Sequence, residues 1–232
     1  MLERTRKIWI RRAQQRLYDV ARISDLLEEK ERDVLEDHMG FRGQMDEHRR
    51  FQITELKKLG LVESSTVMEI GCGPLTAGLP VIEFLDPNCY VGVDVRSSVL
   101  DCAWQVIGKN GLSLRNPQLI RSDNFADEEL GDRRFDFIWS FSVLYHLSDE
   151  ILDRYFAAVA KRIGRVAVAN VQTYMDDSTW LEFPFLNRSI ETYAAMAARH
   201  GLKTKPLGTL AERGFRMSGD DSRNTLLEFT VG

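Results

Sequence analysis

The residues best suited to chemistry stand at regular intervals: Glu69, Asp94, Asp123, Ser140 and His146. Glu69 is an acid inside the apolar stretch VMEI, two residues before Gly71. Burying a carboxylate is costly unless a positive charge or hydrogen bonds offset its desolvation, so Glu69 points to a cation nearby. Gly71 and Gly73 allow positive backbone dihedrals and let the main chain approach a ligand with no Cβ between them. Asp94 closes the run YVGVD, 21 residues beyond Gly73, where an acid accepts hydrogen bonds from ribose hydroxyls. In SVLYHLSDE, Tyr145, His146 and Asp149 stand together, and the histidine suits general-base work near neutrality. Each residue has an ordinary use as well: Glu69 as a turn cap, Asp94 as a strand terminator, Asp123 as loop punctuation and His146 as a packed histidine. Their joint register on successive strand ends favours a nucleoside-type pocket.

The elements that must hold them alternate. TVMEI, YVGVDV, QLIRSD, FDFIWSF and GRVAVANV read as strands. Helical patterns run to Phe84, to Lys109 and from Asp149 to Arg162 between them, with a short helical or irregular piece after QLIRSD. Such alternation implies parallel pairing with right-handed crossovers. After Thr173 the order changes to a loop with Trp180, Phe183, Pro184 and Phe185, a helix from Ser189 to His200, and strands near 202–207 and 225–230. The fold expected is α/β, a Rossmann-like doubly wound seven-stranded sheet with its last strand antiparallel.

Residues 2–37 hold no Gly or Pro, and Ile10, Ala13, Leu17, Val20, Leu27 and Val34 fall on helical spacing. The segment is basic at its start and acidic towards Asp37. Antiparallel pairing with a second copy matches those ends; packing on its own domain and contact with an anionic membrane surface are the other readings. The division expected is a helical extension at 1–40 for homodimerisation and a catalytic domain at 41–232, with 41–62 as a helical lid.

With 232 residues, 44% hydrophobic and 28% charged, the chain is an ordinary globular protein with one main domain. A net charge of -4 disfavours a surface built for nucleic acid. Cys72, Cys89 and Cys102 form no C-x-x-C, so neither a disulfide framework nor a zinc site is indicated. No apolar run reaches the roughly 18 residues of a membrane span, and the charged start lacks a signal-peptide core. The localisation expected is cytoplasmic.

A dinucleotide fingerprint would place its third glycine at Thr76, and Pro74 intrudes where a pyrophosphate would meet backbone amides. With Glu69 asking for a cation, the ligand indicated is S-adenosylmethionine rather than NAD. Residues 67–94 resemble the first two motifs of class I S-adenosylmethionine-dependent methyltransferases. The first motif, E/D-x-G-x-G-x-G, is matched at Glu69, Gly71 and Gly73, with Leu75 in the last glycine place. The resemblance spans about 66–170.

It implies that Glu69 orients the turn and the ligand's amino group, and that Gly71, Cys72 and Gly73 pass beside the methionine part. By the same resemblance, Asp94 and its neighbour Val95 meet the ribose. Asp123 accepts from the adenine amino group with Asn124 and Phe125 beside the base, and Ser140 and Phe141 line the pocket near the sulfonium. For the acceptor, His146 is the candidate base, and Tyr145, Tyr174, Trp180, Phe183 and Phe185 are candidate walls. The stretch FRGQMDEHRRFQ resembles bacterial methyltransferase-like proteins associated with glycan pathways; Phe41, Arg42, His48 and Arg49 would then fold over the ligand, with Arg42 near its carboxylate. The function expected is O-methylation of a sugar or other small hydroxylated acceptor. N-methylation, a nucleic-acid or protein acceptor, and a non-catalytic binding scaffold are the alternatives.

Overall fold

Apolar runs of four or five residues can be buried on both faces only at the centre of a parallel sheet. The computed structural model, which describes residues 44–173, 178–180, 183–215 and 224–232 (backbone alone at 178–180 and 183), places them there. Strands β1 (Val67–Ile70) and β2 (Tyr90–Asp94) are buried along their whole length. With β3 (Gln118–Arg121), β4 (Phe135–Ser140) and β5 (Ile163–Gln172) they pair in parallel. β8 (Leu202–Thr209) and β9 (Asn224–Val231) complete a seven-stranded sheet in the order β3-β2-β1-β4-β5-β9-β8. β9 is antiparallel to both neighbours, so the last strand has the orientation expected.

Helices supply the crossovers. They are α2 (Gly78–Phe84), α3 (Ser97–Lys109), the single turn α4 (Asp127–Leu130) and α5 (Asp149–Arg162). α6 (Ile190–Ala198) precedes β8, and α1 (Met45–Lys58) precedes β1. Ser148 and Ser189 cap α5 and α6 by accepting from the amides of Ile151 and Thr192, which fixes where those helices begin. One departure from the sequence reading is the aromatic loop after β5. It contains a two-stranded antiparallel hairpin, β6 (Ser178–Trp180) and β7 (Phe183–Phe185).

Strand alternation sends side chains to two separate cores. Met68, Ile70, Val93 and Ile138 pack with Tyr155 and Phe156 of α5 on one face. Val67, Phe137 and Trp139 pack with Phe51 and Leu56 of α1 and with Phe215 on the other. α1 is fastened to the β8–β9 connection by a buried ion pair. Glu55, 1% exposed, accepts from Arg213 Nε at 2.5 Å and from Lys58 at 2.7 Å, while Arg213 Nη1 donates to the Leu207 carbonyl. The proposed extension at 1–40, together with Phe41 and Arg42, lies outside the described residues.

Candidate functional site

β1 ends in a turn that crosses the carboxyl edge of the sheet. Gly71 takes φ +74° and Gly73 φ +53°. At Gly71 a side chain is excluded twice over: the dihedral disfavours one, and a Cβ would lie 2.4 Å from Val143 Cγ2. Leu75, in the third glycine place, adopts φ +67° and is fully buried. The left-handed backbone costs a non-glycine residue about 1 to 2 kcal/mol, and burial of the leucine side chain, about 1.5 to 3 kcal/mol, offsets it. The loop path of the motif therefore survives without its third glycine.

Beside this turn lies a cleft of about 90 Å³. Glu69, Gly71, Cys72, Gly73, Pro74 and Thr76 form its inner wall; Met45, His48 and Gln52 of α1, with Phe141 and Ser142 after β4, form the outer one. Glu69 is buried and accepts a hydrogen bond from Tyr90 Oη at 2.5 Å. Burial pushes its carboxyl up to about 8, against the opposing pull of the Tyr90 hydrogen bond and with a smaller push from Asp94. An acid held largely protonated at neutral pH, facing a cleft, is matched to a cation that would let it ionise. Burial likewise keeps the Cys72 thiol protonated and unreactive.

Asp94 ties the second strand to the turn. Its Oδ2 accepts from Gly73 N at 3.0 Å and its Oδ1 from Arg96 N at 3.0 Å, and each oxygen retains capacity for a hydroxyl donor. Val95 beside it is 49% exposed. After β3, Ser122 organises the next loop: Ala126 N donates to its hydroxyl at 2.8 Å, and the hydroxyl donates to Asn124 Oδ1 at 2.6 Å. Asp123 is left exposed at the surface. Phe125 and Ala126 both take positive φ, and this turns the Phe125 ring inward onto Tyr155, at a centroid distance of 5.8 Å. Phe125 is thus core packing rather than an exposed base platform.

At the end of β4, Ser140 is fully buried and accepts from Tyr155 Oη at 2.9 Å, so its hydroxyl belongs to the core; Phe141 and Ser142 reach the cleft. Ser142 has φ +59° and its amide donates to Asn170 Oδ1 at 2.5 Å, while Asn170 Nδ2 donates to Asn224 Oδ1 at 2.9 Å. This buried amide chain fixes the turn that brings Val143 against Gly71.

The turn Leu144–His146 then meets the β6–β7 hairpin. Tyr145 stacks on Phe185 with centroids 5.5 Å apart, and its carbonyl accepts from Leu186 N. His146 Nδ1 lies 2.8 Å from the Pro184 carbonyl oxygen. A carbonyl only accepts, so the ring proton sits on Nδ1 and the lone pair on Nε2. Among the other acceptor candidates, Tyr174 lies outside the described residues, and Trp180 and Phe183 are described in their backbone alone.

Sequence reasoning missed Tyr90, Gln52, Trp139 and Phe215. The spacing of His48 and Gln52, one helical turn apart, was visible in the sequence; their meeting with Trp139 and Phe215 was not. Among the described residues no cluster of His, Cys, Asp and Glu could hold a metal ion, and no helix is long and apolar enough to cross a membrane.

Residues 67–165 match the family model of a methyltransferase domain. No curated protein matches the chain. Among solved structures, magnesium protoporphyrin IX methyltransferase from Synechocystis PCC 6803, with bound S-adenosylmethionine, is similar at a TM-score of 0.61 and 14% identity, over 89% of this chain and 85% of that one. An S-adenosylmethionine-dependent methyltransferase from Clostridium acetobutylicum ATCC 824 gives 0.62 and 14%, over 81% and 92%. The glycopeptide N-methyltransferase MtfA, complexed with S-adenosylmethionine, gives 0.61 and 13%, over 80% and 94%. Residues 67–165 thus match a methyltransferase-domain model, and the chain shares the Rossmann-like fold of these structures.

Proposed function

We propose that this S-adenosylmethionine-dependent methyltransferase methylates a hydroxyl of a small acceptor, a sugar or comparable polyol, with His146 as the base. The observation that carries the choice of acceptor atom is the hydrogen bond from His146 Nδ1 to the Pro184 carbonyl, which leaves the lone pair on Nε2. An amine, once neutral, attacks without a positioned base; a hydroxyl gains most from one.

The cleft fits the cofactor: a buried carboxyl at Glu69 suits a cationic ligand, and at Gly71 a side chain would collide with Val143 and crowd the turn. Bound S-adenosylmethionine supplies an electrophilic methyl group. In this reading Glu69 pairs with the ligand's ammonium, the Gly71–Gly73 backbone runs along the methionine part, and Asp94 accepts from the ribose. Asp123 accepts from the adenine amino group, and Arg42 meets the carboxylate. The Tyr145–Phe185 stack gives the acceptor an apolar wall. With that cofactor bound, His146 Nε2 would take the proton of the attacking hydroxyl while the methyl–sulfur bond breaks, and positioning would supply the remaining rate.

Turnover of methyl-labelled cofactor against matched hydroxylated and amine acceptors tests this. Hydroxyl methylation is expected, with His146→Ala about a hundredfold slower and cofactor affinity unchanged. Amine products, or a tenfold or smaller loss in a folded variant, would return His146 to packing. The same reading has residues 1–40 pair with a second copy, so that the full chain sediments as a cytoplasmic dimer and a chain starting at Met39 as a monomer.

A further inference from the structure

His48 and Gln52 lie one turn apart on α1, both facing the cleft. Gln52 Oε1 lies 2.8 Å from Trp139 Nε1, and Gln52 Nε2 lies 3.2 Å from His48 Nε2. An indole nitrogen only donates, so it fixes the carbonyl end of the amide towards the sheet and the NH2 end towards the histidine. That NH2 also only donates. His48 Nε2 must therefore accept, and the ring's single proton resides on Nδ1.

The relay is dry. Trp139 and Gln52 are each 1% exposed and His48 is 4% exposed. Phe141 meets the imidazole edge-on at 5.0 Å and Phe215 stacks on it at 5.1 Å. A second proton would set Nε2–H against the Gln52 NH2, forfeit that hydrogen bond and leave a cation buried between rings. The charged groups around it are Arg49 on the same helix, which opposes protonation, Glu69 of β1 across the cleft, and the Glu55–Arg213 pair further along α1. Burial and Arg49 together lower His48 to about 3.

We propose that His48 is an uncharged wall of the cofactor cleft, held in its Nδ1–H form by Trp139 through Gln52, and that this wall keeps positive charge away from the place a sulfonium would occupy. The inference rests on the cofactor reading above. It gives the two histidines near the end of β4 opposite duties. On His146 the Pro184 carbonyl holds the proton on Nδ1, whereas on His48 the Gln52 amide engages Nε2.

Two measurements on the full chain test it. Nitrogen-15 NMR of the histidine rings is expected to show His48 protonated on Nδ1 and unprotonated on Nε2 throughout pH 5 to 8. Calorimetry with S-adenosylmethionine and S-adenosylhomocysteine then compares wild type, His48→Gln and His48→Arg. The thioether product has the same shape without the sulfonium charge, so steric effects cancel in the ratio of the two affinities. The ratio should stay within about threefold in His48→Gln and fall at least tenfold against the sulfonium in His48→Arg. A proton on Nε2, a His48 titration above pH 6, or equal ratios in the two variants would overturn the proposal; should the arginine variant not fold, the wild-type titration decides. Wild type that binds neither ligand would instead bring down the cofactor reading, and the proposal with it.

Discussion

If Glu69 pairs with the cofactor's ammonium as proposed, cofactor binding is a proton-releasing reaction. Its carboxyl is raised from 4.5 to about 8, with burial as the largest cause. At pH 7 a group of that pKa is about nine-tenths protonated, and a cation binding beside it favours the ionised form. Each bound S-adenosylmethionine should thus expel about 0.9 proton from the protein. Affinity should rise about fiftyfold between pH 6 and pH 8 and level off above pH 8, provided the complex keeps Glu69 ionised throughout. Calorimetry at pH 7 in buffers of different ionisation enthalpy counts the protons, and Glu69→Gln subtracts any released by the ligand itself. Tyr90→Phe removes the hydrogen bond that holds Glu69 down, so it should move the plateau to higher pH. Binding enthalpy independent of buffer, or equal release in Glu69→Gln, would refute the coupling.

The same shift has a stability consequence. A folded-state pKa above the unfolded one stabilises below pH 4.5, and the contribution is lost as pH rises through 8. The span corresponds to about 5 kcal/mol, which a bound cation should largely restore. Cofactor should accordingly protect the protein against urea more at pH 8 than at pH 5.

Three further outcomes can be checked. Gly71→Ala should cost about 2 to 3 kcal/mol in urea unfolding and weaken the cofactor at least tenfold, because of its positive φ and the clash with Val143. Adding Val143→Ala should recover part of both losses, and no recovery would mean that the dihedral alone matters. Arg213→Met should destabilise by about 3 kcal/mol by leaving buried Glu55 with Lys58 alone, measured by the same unfolding. His48 is lowered from 6.5 to about 3, so its neutral burial stabilises above pH 6.5 and is lost as pH falls towards 3; His48→Gln should flatten the acid limb of the stability curve.

The central sheet was legible because β1, β2 and β4 are apolar runs bounded by glycines and acids, a pattern set by burial on both faces. The expectation of a cationic ligand rested on one misplaced acid, Glu69, which the structure buries beside the cleft. The β6–β7 hairpin was not: its strands are three residues long, and Pro184 in the second argues against a strand by sequence rules, though an isolated hairpin tolerates it. The inward turn of Phe125 depends on two consecutive left-handed residues, which neither Phe nor Ala advertises. Tyr90 reaches Glu69 only because β2 starts level with Val67, and Trp139 meets Gln52 across 87 positions. Register and long-range contact, rather than residue type, carry that information.

The outer wall of the cleft shows how a common fold acquires its own site. The glycine turn and Asp94 come from the sheet edge, but Met45, His48 and Gln52 come from α1, which stands before the first strand. α1 is not held by apolar packing alone. Glu55 anchors it to Arg213, and Phe215, two residues on, stacks on His48 and Phe51. Arg213 and Phe215 of the β8–β9 connection therefore reach the cleft wall through α1. Trp139 holds the same helix from below, through Gln52, at the strand position level with Glu69. The side chain that sets the charge of the outer wall and the one that sets the charge of the inner wall are thus both referenced to adjacent strands of one rigid sheet. Burial shifts both of these groups towards their neutral forms, Glu69 upward and His48 downward.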